Sequence, residues 1–292
     1  MKSSPLFSVI IASYNNGQFL AGTIRSIINQ TYNNWEIIVV DDASTDQSRD
    51  VMKEFQQNPN IRSIYHRKNA GAGAAFRTAA SLANGEIIGM LGADDALTSD
   101  ALESMVEAHL AHPEAVLINS DLVFCNQDLE PTGEPSPYHE QPSGQFFTEG
   151  VTVSSFAAFK SFAYQQTSGF SAGFRGAVDH DIYFKLEEWG AVGYVKKPLY
   201  FYRQNPIGIS QGKNGMIASQ YARLAYRNAF LRRLFHRSAV RRPTLKQLLL
   251  SQFLYHQRYG VRLGSYWKRG YHRLLASAYG VMVGKQGRSN PG

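Results

Sequence analysis

Only one cysteine, Cys125, occurs in 292 residues. A single thiol excludes an intramolecular disulfide and any cysteine-based zinc site, and it fits a reducing compartment. The eight histidines form no cluster at metal-ligand spacing. Long apolar runs are missing as well. The longest, Leu274 to Val283, is about half of the ~20 residues that a membrane span needs. Internal repeats and long low-complexity tracts are absent, which excludes a solenoid. The amino terminus, Met1-Lys2-Ser3-Ser4-Pro5, runs straight into an expected strand, so no secretory leader is expected.

The last absence is of one charge sign. All 23 Asp and Glu lie at or before Glu188, together with 11 of the 30 Lys and Arg. Residues 189–292 hold the other 19 basic residues and no acid, which leaves the whole chain at +7. An acidic body followed by a basic tail predicts that the tail meets an anionic surface.

What is present suits one large domain, or a domain with an appendage: 43% of residues are hydrophobic and 12% aromatic. Phe7 to Ala12 is a short apolar run ended by the polar turn Ser13-Tyr14-Asn15-Asn16-Gly17, the pattern of a buried strand. Leu20, Ile24, Ile27 and Ile28 recur at helical spacing up to about Gln30. Strands are expected over 35–40, 61–65, 86–91, 115–124 and 192–202. Helices are expected around Val51, Met52 and Phe55, from the Gly/Ala loop 69–73 to about Ala83, over 101–111 and around Ile182 to Trp189. Alternating strands and helices imply an α/β fold with a mostly parallel sheet and right-handed crossovers. Residues 126–150, rich in Pro, Gly, Ser and Gln, read as a long loop. From Met216 onward apolar and basic residues interleave at helical spacing, with further helical patterns over 245–259 and 266–282.

Two aspartate pairs end two of the expected strands: Asp41-Asp42 after Glu36 to Val40, and Asp94-Asp95 after Ile87 to Ala93. Carboxylates at the carboxyl ends of parallel strands point into the crevice where α/β sheets bind ligands. Two such pairs suit a nucleotide and the divalent cation that neutralises its phosphates. A nucleotide-dependent transferase is the class this predicts.

The order of motifs then becomes specific. Ser8 to Asn15, Ser26 to Tyr32, Trp35 to Asp46, Asn69-Ala70-Gly71, Ala83-Asn84-Gly85-Glu86, Leu91 to Asp95, Ser168-Gly169-Phe170, Asp179-His180-Asp181 and Tyr202-Arg203 follow one another along the chain. Across roughly residues 6–212 the sequence resembles inverting, family-two nucleotide-sugar glycosyltransferases of the GT-A fold. The resemblance implies a donor half over 1–110, an acceptor half over 111–215 and a basic helical tail over 216–292. It implies that Ala12 and Tyr14 line the base pocket, with Tyr14 stacked on the base; packing on the next helix is the alternative for that ring. Asp42 would accept from the base imide, which favours uracil or thymine without excluding guanine; helix capping is the alternative. Asn69, Gly71 and Arg77 would complete the donor site. Asp94 would meet the ribose or the metal-bound diphosphate, and Asp95 would ligate Mg2+ or Mn2+. Asp179 would be the catalytic base, with Asp181 as its competitor. Arg203 would bring a cation to the diphosphate, with help from Ser210.

Two departures stand out. The resemblance leads one to expect Glu-Asp where the chain has Val178-Asp179, and an arginine one position away from Arg77, about 100° around the helix. Gln257-Arg258-Tyr259 is not the Gln-x-x-Arg-Trp signature of processive members, so addition of a single sugar is expected. The expected donor is a nucleotide-diphosphate sugar, UDP-linked, and the acceptor a glycan or lipid-linked hydroxyl in polysaccharide or cell-envelope assembly. The expected location is cytoplasmic, peripheral on the inner face of the membrane. For 216–282 three readings stay open: helices lying on an anionic membrane, a subdomain packed on the acidic body, and, least favoured by charge alone, a nucleic-acid patch. A non-catalytic nucleotide-sugar-binding protein is the second functional reading, made plausible by Val178 and the displaced Arg77.

Overall fold

The structure is a computed structural model that describes residues 4–134, 136, 140–142, 144–149, 156–235 and 240–259. The helical pattern expected over 266–282 lies outside the described residues. Four strands form the parallel half of the sheet: β1 (Phe7–Ser13), β2 (Trp35–Asp41), β3 (Ile61–Tyr65) and β4 (Ile87–Gly92). Helices α1 (Gly17–Ile28), α2 (Ser48–Glu54) and α3 (Ala72–Leu82) connect them. Then come β5 (Ala96–Leu97), α4 (Ala101–Ala111), β6 (Ala115–Cys125), β7 (Ala157–Lys160), α5 (Ser161–Gln165), α6 (Val178–Leu186), β8 (Ala191–Arg203), α7 (Gly215–Phe235) and α8 (Leu245–Tyr259). One eight-stranded sheet runs in the order β3-β2-β1-β4-β7-β6-β8-β5.

The strands are near-continuous Val/Ile runs because helices cover both faces of the parallel half. Ile10, Ile38 and Val40 point into the core beneath α3, whereas Val9, Ile11, Ile37 and Val39 belong to the core that holds Leu20, Ile24 and Ile27 of α1. Each such side chain, fully buried, contributes about 1.5–3 kcal/mol. Two strands escape the sequence pattern. β7 is four residues of an apolar stretch with no alternation, and it inserts antiparallel between β4 and β6. β5 is a two-residue strand, antiparallel to β8.

Described residues beyond 215 are packed against the body. Ala225, Tyr226 and Ala229 of α7 share the core of Phe184, Leu186 and Phe147. Arg232 pairs with Glu188 at 2.7 Å, Arg233 pairs with Glu188 at 3.1 Å, and Arg233 also bonds Glu187. Glu187 and Glu188 are the last acids of the chain, so two arginines of the tail, Arg232 and Arg233, close on the end of the acidic body. Position 215 is therefore no boundary between separate cores. No helix among the described residues is long and apolar enough to cross a membrane.

One buried titratable group sets an acid limit on this fold. His109 of α4 is 4% exposed and its Nε2 lies 3.2 Å from the Ala158 carbonyl of β7, to which it donates. Burial pushes its pKa from 6.5 down to about 4, so the ring is held neutral. The unfolded chain binds that proton more readily, hence the contribution is complete above pH 6.5 and lost as pH falls towards 4. The stability lost across this window is about 3 kcal/mol. His109→Gln keeps an N–H donor without the titration; thermal unfolding followed against pH should be flatter for that variant between these limits, and an unchanged profile would remove His109 as the cause.

Candidate active site

The carboxyl ends of β1, β2 and β4 lie side by side, since Ala12 pairs with both Val40 and Gly92. Three turns meet there. Asp42 N–H donates to the Ser13 carbonyl at 2.8 Å, and Asn15 N–H donates to Ser44 Oγ at 2.9 Å. Asn15 and Ala43 take left-handed backbone conformations, with φ 53° and 65°. For Ala43 this costs roughly 1–2 kcal/mol, held in place by the Ser44 N–H bonds to Asp41 at 3.2 and 3.4 Å. Tyr14 is 46% exposed at this edge, available for stacking.

Asp42 differs from the open acceptor expected at the base edge. It is 3% exposed, and His66 Nδ1 (2.7 Å), Ala70 N–H (3.0 Å) and Gly71 N–H (2.7 Å) all bond its oxygens. An ionised carboxylate has about four acceptor sites, and these partners occupy most of them. Asp42 thus ties β2 to the Asn69–Gly71 loop that opens α3. Gly71 has φ 94°, a conformation that L side chains rarely adopt, and a Cβ there would stand 3.0 Å from Arg175 Cγ. Arg77 is also committed. Its guanidinium donates to the carbonyls of Phe170 and Ser168, both at 3.1 Å, and so pins the Ser168-Gly169-Phe170 turn to α3. It faces that turn because it is one position round the helix from the expected arginine, and it does not line the cleft described below.

The second aspartate pair is split by β8. Asp95 is 4% exposed; its Oδ1 accepts Arg203 N–H at 2.7 Å and its Oδ2 accepts the Tyr200 hydroxyl. Thr23 Oγ1 of α1 donates to its carbonyl at 2.7 Å. Burial, and then the neighbouring Asp94, push the Asp95 carboxyl well above the usual range. One bond from β8 falls on each Asp95 oxygen and the group is almost wholly buried, so the half-buried Asp94 is the more accessible of the two carboxylates to a cation. Asp94 is half-buried, and its Oδ2 accepts Asn205 Nδ2–H at 2.9 Å while Oδ1 has no hydrogen bond to a described residue. Among the described residues no three His, Cys, Asp or Glu gather to hold a metal by themselves. A hard divalent ion at Asp94 would take its other ligands from a diphosphate and water, which is how Mg2+ is commonly held and fits this donor set.

Arg203 departs from its expected role in the same way. It is 5% exposed; Nε donates to the Asp94 carbonyl at 2.5 Å, another N–H bonds the Gln127 carbonyl, and the guanidinium lies 4.3 Å from the Phe19 ring. It locks the Asp94-Asp95 turn and lends its charge to the cleft wall. Ser210 meets the Tyr202 hydroxyl at 3.0 Å.

At the start of α6 the two remaining aspartates separate. Ala177, left-handed at φ 48°, turns the chain into the helix. Val178 points into the core and Asp181 is 2% exposed, bonded to Lys185 Nζ at 2.7 Å and to Ser171 N–H at 3.1 Å. Asp179 is half-buried, makes no hydrogen bond to a described residue and lines the cleft. His180 lines it too, tilted on Phe184 at 5.7 Å, with Nδ1 buried and without a partner among the described residues.

The cleft measures about 650 Å³ and holds Asp94, Asp95, Asp179, Arg203 and Ser210 together. Ala12, Tyr14, Asp42, Asn69 and Gly71 do not line it; they form the edge beyond β1. Sequence reasoning missed Asn205, Tyr200 and Gln211, which hold Asp94, Asp95 and Tyr202. Their proximity to Tyr202-Arg203 was the available signal. It also missed the far wall, built by α7 and by Arg258 of α8, for which the sequence carried none.

Residues 8–167 match the family model described as Glycosyl transferase family 2. The chain is 31% identical over 204 residues to the chondroitin synthase of Escherichia coli, covering 68% of this chain and 29% of that protein. To the hyaluronan synthase of Pasteurella multocida it is 30% identical over 200 residues, 67% of this chain and 20% of that protein. The chain thus spans less than a third of the length of these two relatives. Its fold is similar to that of S. aureus TarS 1-349 in complex with UDP-GlcNAc, with TM-score 0.70, 18% identity and coverage of 87% of this chain and 73% of that one. A mannosyltransferase, PcManGT from Pyrobaculum calidifontis in complex with GDP-Man and Mn2+, matches with TM-score 0.58 and 17% identity over 97% of this chain and 81% of that one. With the mixed, mostly parallel GT-A sheet and a family match across more than half its length, the chain belongs to glycosyl transferase family 2.

Proposed function

We propose that the chain transfers one sugar from a nucleotide-diphosphate sugar, UDP-linked, to a hydroxyl of a glycan or lipid-linked acceptor, with inversion, in the assembly of a polysaccharide or other cell-envelope polymer. The observation that carries this reading is the open Asp179 carboxylate in the same cleft as the half-open Asp94. Asp179 takes the proton from the acceptor hydroxyl as that oxygen attacks the anomeric carbon. The donor's base stacks on Tyr14, and its diphosphate lies over Asp94. A Mg2+ or Mn2+ ion held there would neutralise the charge of the departing diphosphate. Asp95, Tyr200 and Arg203 keep the Asp94 turn rigid, and Asn205 ties the 204–214 loop to it. UDP is the donor nucleotide we favour, in keeping with the UDP-GlcNAc complex of TarS; the GDP-Man complex of PcManGT marks the competitor. Exposed Met216, Phe235, Val240 and Leu245 beside the basic residues suit a peripheral position on an anionic membrane at the cytoplasmic face.

Titration of UDP in the presence of Mn2+ tests the donor site. Asp94→Ala should lower UDP affinity measured with Mn2+ by about ten-fold or more, and leave the smaller metal-free affinity unchanged. Asp95→Ala should lower thermal stability, since it leaves the buried Tyr200 hydroxyl and Arg203 N–H without partners at about 1–3 kcal/mol each. The reverse pattern would return the metal to Asp95. UDP binding without any donor hydrolysis, in a protein where Asp179 is intact, would favour the non-catalytic reading to which Val178 and the committed Arg77 point.

A further inference from the structure

The cleft has two chemically different walls. Its carboxylates, Asp94, Asp95 and Asp179, come from the turn after β4 and the start of α6. The opposite wall comes from α7 and α8 and carries no acid, since the last acid of the chain is Glu188. There the small Ala218 and Ala222 and two exposed cations, Arg223 and Arg258, line it. Arg258 is steadied by a 3.1 Å bond to the Tyr226 hydroxyl. Arg227, also exposed, lies one turn from Arg223 on the same helix and makes no ion pair with a described residue. Glu187 and Glu188 are engaged by Arg232 and Arg233 at the other end of α7. Next to the open Asp179 the chain places Val178, which brings no second negative charge to this wall.

We propose that the α7–α8 wall recognises an anionic acceptor, one bearing phosphodiester or carboxylate groups beside the hydroxyl that is glycosylated, through Arg223 and Arg258. This rests on the glycosyltransferase reading, in which Asp179 faces the acceptor. The cations hold the acceptor's charges while its hydroxyl reaches Asp179. The metal-bound diphosphate occupies the acidic side, so donor and acceptor, both anions, meet separate counter-charges.

The full chain, its donor site first filled with UDP and Mn2+, is titrated with an oligomer of glycerol phosphate, with a glucuronate-containing oligosaccharide and with a neutral glucose oligosaccharide. Absence of the UDP and Mn2+ signal would strike the donor reading itself, separately from this one. One anionic ligand should bind more tightly than the neutral one, and which of them binds identifies phosphate or carboxylate as the recognised group. The double variant Arg223→Gln/Arg258→Gln should weaken that binding by about ten-fold and leave UDP affinity unaltered. Arg223→Gln alone, which breaks no bond to Tyr226, should retain part of the effect if Arg258→Gln perturbs folding. Lys196→Gln/Lys246→Gln, away from the cleft, controls for unspecific attraction. Equal binding of neutral and anionic ligands, or equal weakening by the control pair, would overturn the proposal.

Discussion

Asp179→Asn should leave UDP and Mn2+ affinity within about two-fold of the parent and lower sugar transfer by about 10²–10⁴-fold. The reason is positional. Asp179 is the carboxylate on the α6 side of the cleft, it bonds no described residue, and the Ala177 turn sets it at the first turn of the helix. Asparagine preserves shape and removes the acceptor site for a proton. A donor ligand held by Tyr14 and Asp94 does not need that charge, so binding and turnover should part company. The check is calorimetry for UDP beside a transfer assay under saturating donor. Full transfer activity in the variant would move the base elsewhere in the cleft, with His180 as the next group to test, its Nδ1 being buried and unpartnered among the described residues.

Asp181→Asn should behave in the opposite way, costing stability and sparing chemistry. Asp181 and Lys185 form a 2.7 Å pair with side chains 2% and 6% exposed, and Lys185 also donates to the Gly169 carbonyl at 2.7 Å and to Ser171 Oγ at 2.9 Å. Burial holds the Lys185 pKa below its ordinary value, against the pull of Asp181. Removing one partner strands a charge in the interior, at about 3–5 kcal/mol. The Ser168–Ser171 turn, which this lysine and Arg77 both fasten, should loosen with it. Denaturant unfolding of Asp181→Asn, with Lys185→Met as a second break of the same pair, measures the loss. Transfer per folded molecule should stay near the parent value. A variant as stable as the parent yet inactive would make Asp181 the base and refute the present assignment.

The contrast between these two residues shows what could be read in advance. Their letters, Asp-His-Asp, are equivalent as candidates in the sequence. On a helix they lie about 200° apart, so one faces the cleft and the other the core, and only the packing of α6 decides which. The same holds for Asp94 and Asp95: both follow an apolar strand, but β8 crosses behind them and bonds each oxygen of Asp95. Asp42 looks like an open acceptor until the His66 ring and the Ala70–Gly71 amides are brought to it from later in the chain. The parallel half of the sheet was legible because each strand is a continuous Val/Ile run, and α4 (Ala101–Ala111), β3 (Ile61–Tyr65) and α8 (Leu245–Tyr259) begin and end where the pattern does. β7 and β5 were not, because two to four residues carry no period and an antiparallel insertion is a matter of non-local pairing.

By itself the sequence determined the class of the chain. The order of its motifs, two acidic strand ends and an acid-free second part follow from local patterns and counting. The tertiary structure decided the division of labour. It turned Arg77, Arg203, Asp42 and Asp95 into supports, left Asp94 and Asp179 open in one cleft, and folded the start of the basic tail onto that cleft as its far wall. A buried polar group must find a partner, and which groups are buried depends on contacts between residues far apart in the chain.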